Sequence, residues 1–118
     1  MRLHARVYAR PDGTEHAPPV LCMPGLARNA RDFEALAPHV AQQRKTIVIE
    51  FRGRGESAYA KDPMTYVPLT YVQDVIALLD ELSIDRFATI GTSLGGLVSM
   101  LMAATLPGRI VGTVLNDV

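Results

Sequence analysis

The feature that most constrains the fold of this chain is a serine held between two glycines, in the run Gly91-Thr92-Ser93-Leu94-Gly95. An apolar stretch precedes this run (residues 87–90), and a stretch of helical character follows it (residues 94–106). That order predicts a buried strand, a sharp turn and a helix. Because glycine leaves room for such a turn, we expect Ser93 to be strained, with its hydroxyl exposed. Ser93 is therefore a candidate nucleophile; the alternative is an ordinary glycine-rich turn.

No histidine follows this serine. A serine nucleophile needs a base, usually a histidine oriented by a carboxylate. After a G-x-S-x-G turn, the acid and then the histidine come later in the chain. All three histidines, His4, His16 and His39, precede Ser93. We expect His4 and His16 to face solvent and His39 to lie near a helix end, so the sequence predicts a nucleophile without a catalytic histidine in residues 1–118.

Composition indicates one soluble globular domain. Of its 118 residues, 48% are hydrophobic and 20% charged, and the formal net charge is zero. These values argue against disorder and against a nucleic-acid or membrane surface. The single cysteine, Cys22, lies in an apolar run, which favours buried packing in a reducing compartment. No apolar stretch approaches the roughly 20 residues of a membrane span, and the first residues lack a signal peptide's apolar segment, so we expect a cytoplasmic protein.

No cofactor or metal motif is recognisable. The run Gly91-Thr92-Ser93 is not a dinucleotide fingerprint, because G-x-G-x-x-G requires glycine where Ser93 stands. We therefore expect no cofactor and no metal, with a small molecule as substrate.

Strand and helix patterns alternate along the chain, without an internal repeat or a low-complexity linker. This alternation predicts an α/β fold with a mainly parallel sheet and helices on both faces. The predicted strands are residues 3–8, 20–23, 46–51, 87–90 and 110–115, and the predicted helices are 32–42, 70–82 and 94–106, with a loop at 57–68.

Two backbone N–H groups are candidates for binding a developing oxyanion. Ligands of an open parallel sheet bind beyond the carboxyl ends of its strands. The N–H of Leu94 follows the serine at a helix N-terminus, where the dipole favours negative charge. The second candidate is the N–H of Leu26, in the loop after Met23, where Gly25 would allow close approach of the backbone. The alternative is that Pro24-Gly25 merely ends a strand.

Taken together, these motifs resemble the N-terminal half of the α/β-hydrolase fold superfamily of esterases, lipases, C–C hydrolases and perhydrolases. Met23-Pro24-Gly25-Leu26 is similar to the oxyanion loop of that family, with Pro24 where histidine is more common. Residues 50–57 are similar to its Asp-x-Arg-Gly-x-Gly-x-Ser turn, with Glu50 in place of Asp. The resemblance extends from Leu3 to Val118 and includes Asp74, residues 91–96 and Leu115-Asn116-Asp117.

The resemblance implies a serine hydrolase acting on an ester, thioester or related carbonyl bond. Residues 1–118 would be a partial domain, lacking the cap and the strands that usually deliver acid and histidine. Asp117 is a candidate acid, because some members take their acid after this strand; the alternative is that it caps a turn together with Asn116.

Two alternatives in function remain open: a non-catalytic truncated fragment that needs a complementary chain, and a perhydrolase or acyltransferase relative. We expect the chain by itself to be inactive. We also expect its last strand, residues 110–115, to expose an apolar edge and to associate with itself or with a complementary chain.

Overall fold

A computed structural model of the protein describes residues 3–8, 18–25, 33, 36–42, 44–51 and 68–116. In chain order the described elements are β1 (Ala5–Tyr8), β2 (Val20–Met23), α1 (Leu36–Val40), β3 (Thr46–Ile49), α2 (Pro68–Glu81), β4 (Phe87–Thr92), α3 (Leu94–Thr105) and β5 (Ile110–Asn116). The described strands form one five-stranded sheet, in the order β1-β3-β2-β4-β5. The predicted loop at 57–68 lies outside the described residues, apart from Pro68.

The sheet is parallel except at one edge. β3 pairs with β2, β2 with β4 and β4 with β5, all parallel, whereas β1 runs antiparallel to β3. Every residue of β2 and β3 is buried, as expected of short apolar strands covered on both faces. The predicted α/β fold with a mainly parallel sheet is confirmed.

Two apolar layers cover the sheet, one on each face. Leu21 and Met23 of β2 pack with α2 and α3 on one face, which we call the α2–α3 face. Val20 and Cys22, which alternate with them, pack with Ala37 of α1 on the opposite face, which we call the α1 face. This alternation follows from the two-residue period of a strand. The predicted helices on both faces are therefore present.

Several element boundaries differ from the sequence prediction. α1 ends at Val40 and not at residue 42, and β3 ends at Ile49 and not at residue 51.

Two further differences have a local explanation. α2 begins at Pro68 and not at Thr70. Proline is favoured in the first turn of a helix, because its fixed φ suits the helix and its missing N–H would have no partner there. β4 continues past Ile90 to Thr92, because Gly91 and Thr92 still pair with the end of β5. The strand therefore reaches the residue before Ser93.

A Schellman motif ends α2, with a serine at its left-handed position. Ser83 has a φ of 57°. Its N–H donates to the carbonyl of Asp80 at 3.1 Å, and the N–H of Ile84 donates to the carbonyl of Leu79 at 2.9 Å. Ile84 and Leu79 are both buried in the core of the α2–α3 face, which supplies the motif's usual apolar contact. Glycine is the common residue at such a position.

Replacing Ser83 by glycine should increase the free energy of unfolding by about 0.5–1 kcal/mol. The left-handed conformation costs a residue with a Cβ about 1–2 kcal/mol, and the greater freedom of glycine in the unfolded chain offsets part of that gain. Urea unfolding followed by circular dichroism measures the change. Ser83→Ala keeps the Cβ and should not stabilise the protein, so an equal gain in both variants would contradict this explanation.

Candidate active site

Ser93 joins the end of β4 to the start of α3, with its side chain at the carboxyl edge of the sheet. Its backbone has φ 51° and ψ −116°, a conformation that residues with a Cβ rarely adopt. Strain of this kind costs on the order of 1–3 kcal/mol and persists only where the surrounding structure enforces it. Ser93 is exposed. The structure therefore presents the serine in the strained, accessible conformation that the sequence motif predicts.

The hydroxyl of Ser93 takes no part in capping α3. Serine is a preferred residue before a helix because its side chain usually accepts a hydrogen bond from an N–H of the first turn. Ser93 occupies that position, yet its side chain makes no such bond. The N–H groups in the first turn of α3, which begins with Leu94, therefore point toward the carboxyl edge of the sheet, where the helix dipole favours negative charge.

The two glycines of the motif are required by close packing as well as by the turn. A Cβ on Gly91 would lie 2.6 Å from the carbonyl carbon of Gly95 and 2.7 Å from the nitrogen of Gly96. A Cβ on Gly95 would lie 2.7 Å from the carbonyl oxygen of Pro24 and would also overlap the carbonyl group of Met23. The start of α3 is therefore seated directly against the end of β2.

This packing brings the loop after β2 beside the serine. Met23 pairs with Gly91 across the sheet, and Pro24 and Gly25 are buried next to the start of α3. Leu26 lies outside the described residues, so its role as an oxyanion donor stays a prediction. Leu94 is the first residue of α3, and its role as an oxyanion donor also stays a prediction.

Neither described histidine lies at Ser93. His39 is exposed on α1, and α1 packs on the opposite face of the sheet from α3. His4 precedes β1, three strands away from β4, which corresponds to about 14 Å at the usual strand spacing. His16 lies outside the described residues, as does the candidate acid Asp117. The strand that leads to Asp117 ends beside the serine, because Asn116 pairs with Thr92.

His4 forms an ion-pair geometry that the sequence did not indicate. Its Nδ1 lies 2.7 Å from Oε1 of Glu50, and the N–H of Glu50 donates to the carbonyl of His4 at 3.0 Å. Glu50 is buried, whereas 31% of the His4 side chain is exposed. The expectation that His4 simply faces solvent is wrong, because a buried carboxylate requires a polar partner. The pair links the start of β1 to the end of β3 at the same edge as Ser93.

Two further nucleophilic side chains are buried away from solvent. Cys22 is fully buried in β2, and this burial raises the pKa of its thiol to about 12. The thiol is therefore neutral near pH 7 and a poor nucleophile. Ser99 of α3 is also fully buried, and its Oγ has no hydrogen-bond partner among the described residues. Ser93 differs from both in being exposed.

Other kinds of site find no support in the described part of the chain. No group of three potential metal ligands occurs there. None of the helices described is long and apolar enough to cross a membrane.

The chain belongs to the α/β-hydrolase fold family, whose model matches residues 18–118. A crystal structure of an α/β hydrolase from Novosphingobium aromaticivorans is 52% identical and superposes with a TM-score of 0.85, covering 99% of this chain and 45% of that one. A serine hydrolase-like protein of Danio rerio is 35% identical over 105 residues, which are 89% of this chain and 32% of that protein. A 3-hydroxybutyrate-oligomer hydrolase of Cupriavidus necator is 30% identical over 116 residues, 98% of this chain and 40% of that protein. The chain thus spans less than half the length of each of these relatives.

Replacing Gly95 by alanine should destabilise the fold by about 1–3 kcal/mol, the usual cost of an overpacked contact. The added Cβ meets backbone carbonyls of Met23 and Pro24, which cannot rotate away as a side chain could. Thermal unfolding measures the effect. Gly108→Ala is the matched control, because a Cβ on Gly108 meets nothing within 4 Å. If Gly95→Ala unfolded at the same temperature as Gly108→Ala, the proposed close packing of α3 against β2 would be wrong.

Proposed function

We propose that this chain is the nucleophile-bearing part of a serine hydrolase that acts on an ester, thioester or related carbonyl bond of a small molecule. Ser93 is the proposed nucleophile. The proposal rests on one observation: at the junction of β4 and α3, Ser93 has a strained backbone conformation and is exposed to solvent. Membership of the α/β-hydrolase fold family and the hydrolase names of several relatives support the same reaction class.

In the proposed reaction the oxygen of Ser93 attacks the carbonyl carbon of the substrate. The carbonyl oxygen then becomes negative and needs nearby donors. The N–H of Leu94 is one proposed donor, because it opens α3 directly after the nucleophile. The N–H of Leu26 is the other, because the preceding residues Pro24 and Gly25 lie against the start of α3.

We propose that the proton of the Ser93 hydroxyl passes to a base outside residues 1–118, because no histidine follows Ser93 in this sequence. The described histidines lie on the opposite face or three strands away. Asp117 is the candidate within the chain for orienting such a base, since β5 ends beside Thr92; capping a turn is its alternative role. We also propose a cytoplasmic setting without cofactor or metal, consistent with the single, buried, free thiol of Cys22.

A fluorophosphonate probe should label Ser93 and no other serine. The test protein is a hybrid in which residues 1–118 replace the matching part of the Novosphingobium hydrolase, whose 52% identity makes the exchange feasible. Ser93→Ala should abolish labelling. Ser99→Ala is the matched control, because Ser99 lies on the same helix but is fully buried, and it should keep full labelling. Labelling that survives in Ser93→Ala, with the native hydrolase as positive control, would refute the assignment.

The chain alone should hydrolyse p-nitrophenyl acetate at least about a thousandfold more slowly than the hybrid. Oxyanion stabilisation and binding alone leave only a small part of the activity of a serine hydrolase whose triad is incomplete. Initial rates at pH 8 for the two proteins measure the ratio. A rate for residues 1–118 within about tenfold of the hybrid would show that these residues hold their own base.

A further inference from the structure

The pair of His4 and Glu50 lies at the same edge of the sheet as Ser93. β1 pairs with β3 as far as Ala5 and Ile49. The next residues along are His4 and Glu50, and the N–H of Glu50 donates to the carbonyl of His4 at 3.0 Å. Their side chains are joined as well, because Nδ1 of His4 lies 2.7 Å from Oε1 of Glu50. The pair therefore extends the ladder of β1 and β3 to the carboxyl edge of the sheet.

Pro24, in the loop after β2, is the neighbour of this pair on the next strand. β2 and β3 are in register at Cys22 and Val48, so Pro24 lies beside Glu50 two residues further along both strands. Adjacent strands lie about 5 Å apart. Because proline has no N–H, Pro24 cannot donate a ladder hydrogen bond to β3. Its position therefore depends on the groups that pack around it.

The residue on the other side of Pro24 is Thr92, which precedes the proposed nucleophile. Met23 pairs with Gly91, so the next residues of β2 and β4, Pro24 and Thr92, also lie side by side. The carboxyl edge thus has the order Glu50, Pro24, Thr92 across three neighbouring strands. A shift of Glu50 would therefore move Pro24 and the loop that leads to the second proposed oxyanion donor.

Glu50 and Pro24 lie on the α1 face of the sheet. Val48 and Cys22 pack on that face, and residues two positions further along a strand share its face. On the opposite face the backbone of Gly95 lies against the carbonyl group of Pro24. The start of α3 thus sets the position of Pro24 from one face, and Glu50 is placed to set it from the other.

Glu50 also brings a negative charge close to the place where the proposed reaction creates another. Its side chain is buried, two strands or about 10 Å from Thr92. At that distance and an effective dielectric constant of about 20, this charge would slow formation of the oxyanion roughly tenfold. At 2.7 Å a proton must lie between Nδ1 of His4 and Oε1 of Glu50. The imidazole therefore offsets the charge of the carboxylate.

We propose that His4 is a positioning residue for the reaction at Ser93 and acts through Glu50. His4 holds the carboxylate beside Pro24, which keeps the loop after β2 in place, and it offsets the negative charge that would oppose the oxyanion. At three strands, about 14 Å, from β4, His4 has no direct part in the reaction. This inference rests on the proposed function and adds a residue pair to its site.

A purely structural pair would behave differently. It would only join the start of β1 to the end of β3, so its loss would lower the free energy of unfolding and leave the kcat of the folded protein unchanged. A positioning pair changes kcat, because stabilisation of the oxyanion is realised in the transition state. The two roles are therefore separated by kcat and by its dependence on the charge of Glu50.

The test uses the hybrid of residues 1–118 with the rest of the Novosphingobium hydrolase. His4→Phe keeps a ring of similar size and removes both nitrogen atoms. It should lower kcat for p-nitrophenyl acetate about tenfold at pH 8 and change KM less than about twofold. His39→Ala is the matched control, because His39 is an exposed histidine of α1, and it should change kcat less than about twofold.

Removing the charge of Glu50 should restore the activity. The double variant His4→Phe/Glu50→Gln should recover kcat to within about threefold of the unaltered hybrid, although it lacks both members of the pair. Acid pH should also reduce the defect of His4→Phe, because protonation of Glu50 removes its charge. The kcat of each variant relative to the unaltered hybrid measures this trend, which the double variant should not show.

The other charged or titratable groups near the pair are the same in these proteins. Among the described residues, Arg6 of β1 lies on the α1 face, since it pairs with Val48, and His39 belongs to α1. Burial raises the pKa of the Cys22 thiol to about 12, so this thiol stays neutral. Because His4→Phe and the double variant change none of these groups, their contributions cancel in the ratio of kcat values.

Circular dichroism confirms that each variant is folded. If His4→Phe does not fold, His4→Asn takes its place: asparagine keeps a donor near the position of Nδ1 but cannot carry a charge. Its kcat should fall about threefold and recover with Glu50→Gln. A folded variant with unchanged kcat, or a loss that Glu50→Gln does not reverse, would overturn this inference and leave the proposed function intact. An inactive unaltered hybrid, beside an active native hydrolase, would contradict the proposed function and this inference with it.

Discussion

The candidate site depends on the contact between the start of α3 and the end of β2. Gly95 brings its backbone against the carbonyl groups of Met23 and Pro24, at a distance that no side chain would allow. This contact determines where α3 begins, and with it the direction of the turn at Ser93. It also sets the loop after β2 beside the first turn of α3. This one close backbone approach therefore positions the proposed nucleophile, Ser93, and one proposed oxyanion donor, the N–H of Leu94. It also brings the loop that leads to the second proposed donor, Leu26, to the carboxyl edge of the sheet.

The strain at Ser93 is balanced by the packing of the helix that follows it. Val98 and Met102 of α3 are fully buried against the sheet, and burying side chains of this size stabilises a fold by about 1.5–3 kcal/mol each. That gain exceeds the cost of the unusual backbone of Ser93, on the order of 1–3 kcal/mol. The hydroxyl of Ser99, which has no hydrogen-bond partner among the described residues, reduces the gain. The turn is thus held by apolar contacts up to three helical turns away and does not need a side-chain cap.

Local patterns in the sequence predicted the strands, the helices and the strained turn at Ser93. The period of apolar residues, the apolar runs and the spacing of the glycines are all properties of neighbouring residues. The α2 boundary was misplaced by two residues because Pro68 was assigned to a loop and not to the first turn of a helix. The pair of His4 and Glu50 could not be predicted, since it joins residues 46 positions apart and requires the strand order, which places β1 beside β3. The left-handed conformation of Ser83 was missed for a different reason. Serine at that position does not indicate the end of a helix, whereas glycine would have done so.

The position of Ser93 in the sheet determines which of the described residues could reach its hydroxyl. Ser93 follows β4, which lies between β2 and the edge strand β5. On its β2 side the described neighbours, residues 20–25, contain no histidine. On the other side β5 ends at Asn116 beside Thr92. Neither of the strands that flank β4 therefore offers an imidazole to accept the proton of Ser93, and the base of the proposed reaction has to come from outside these two strands.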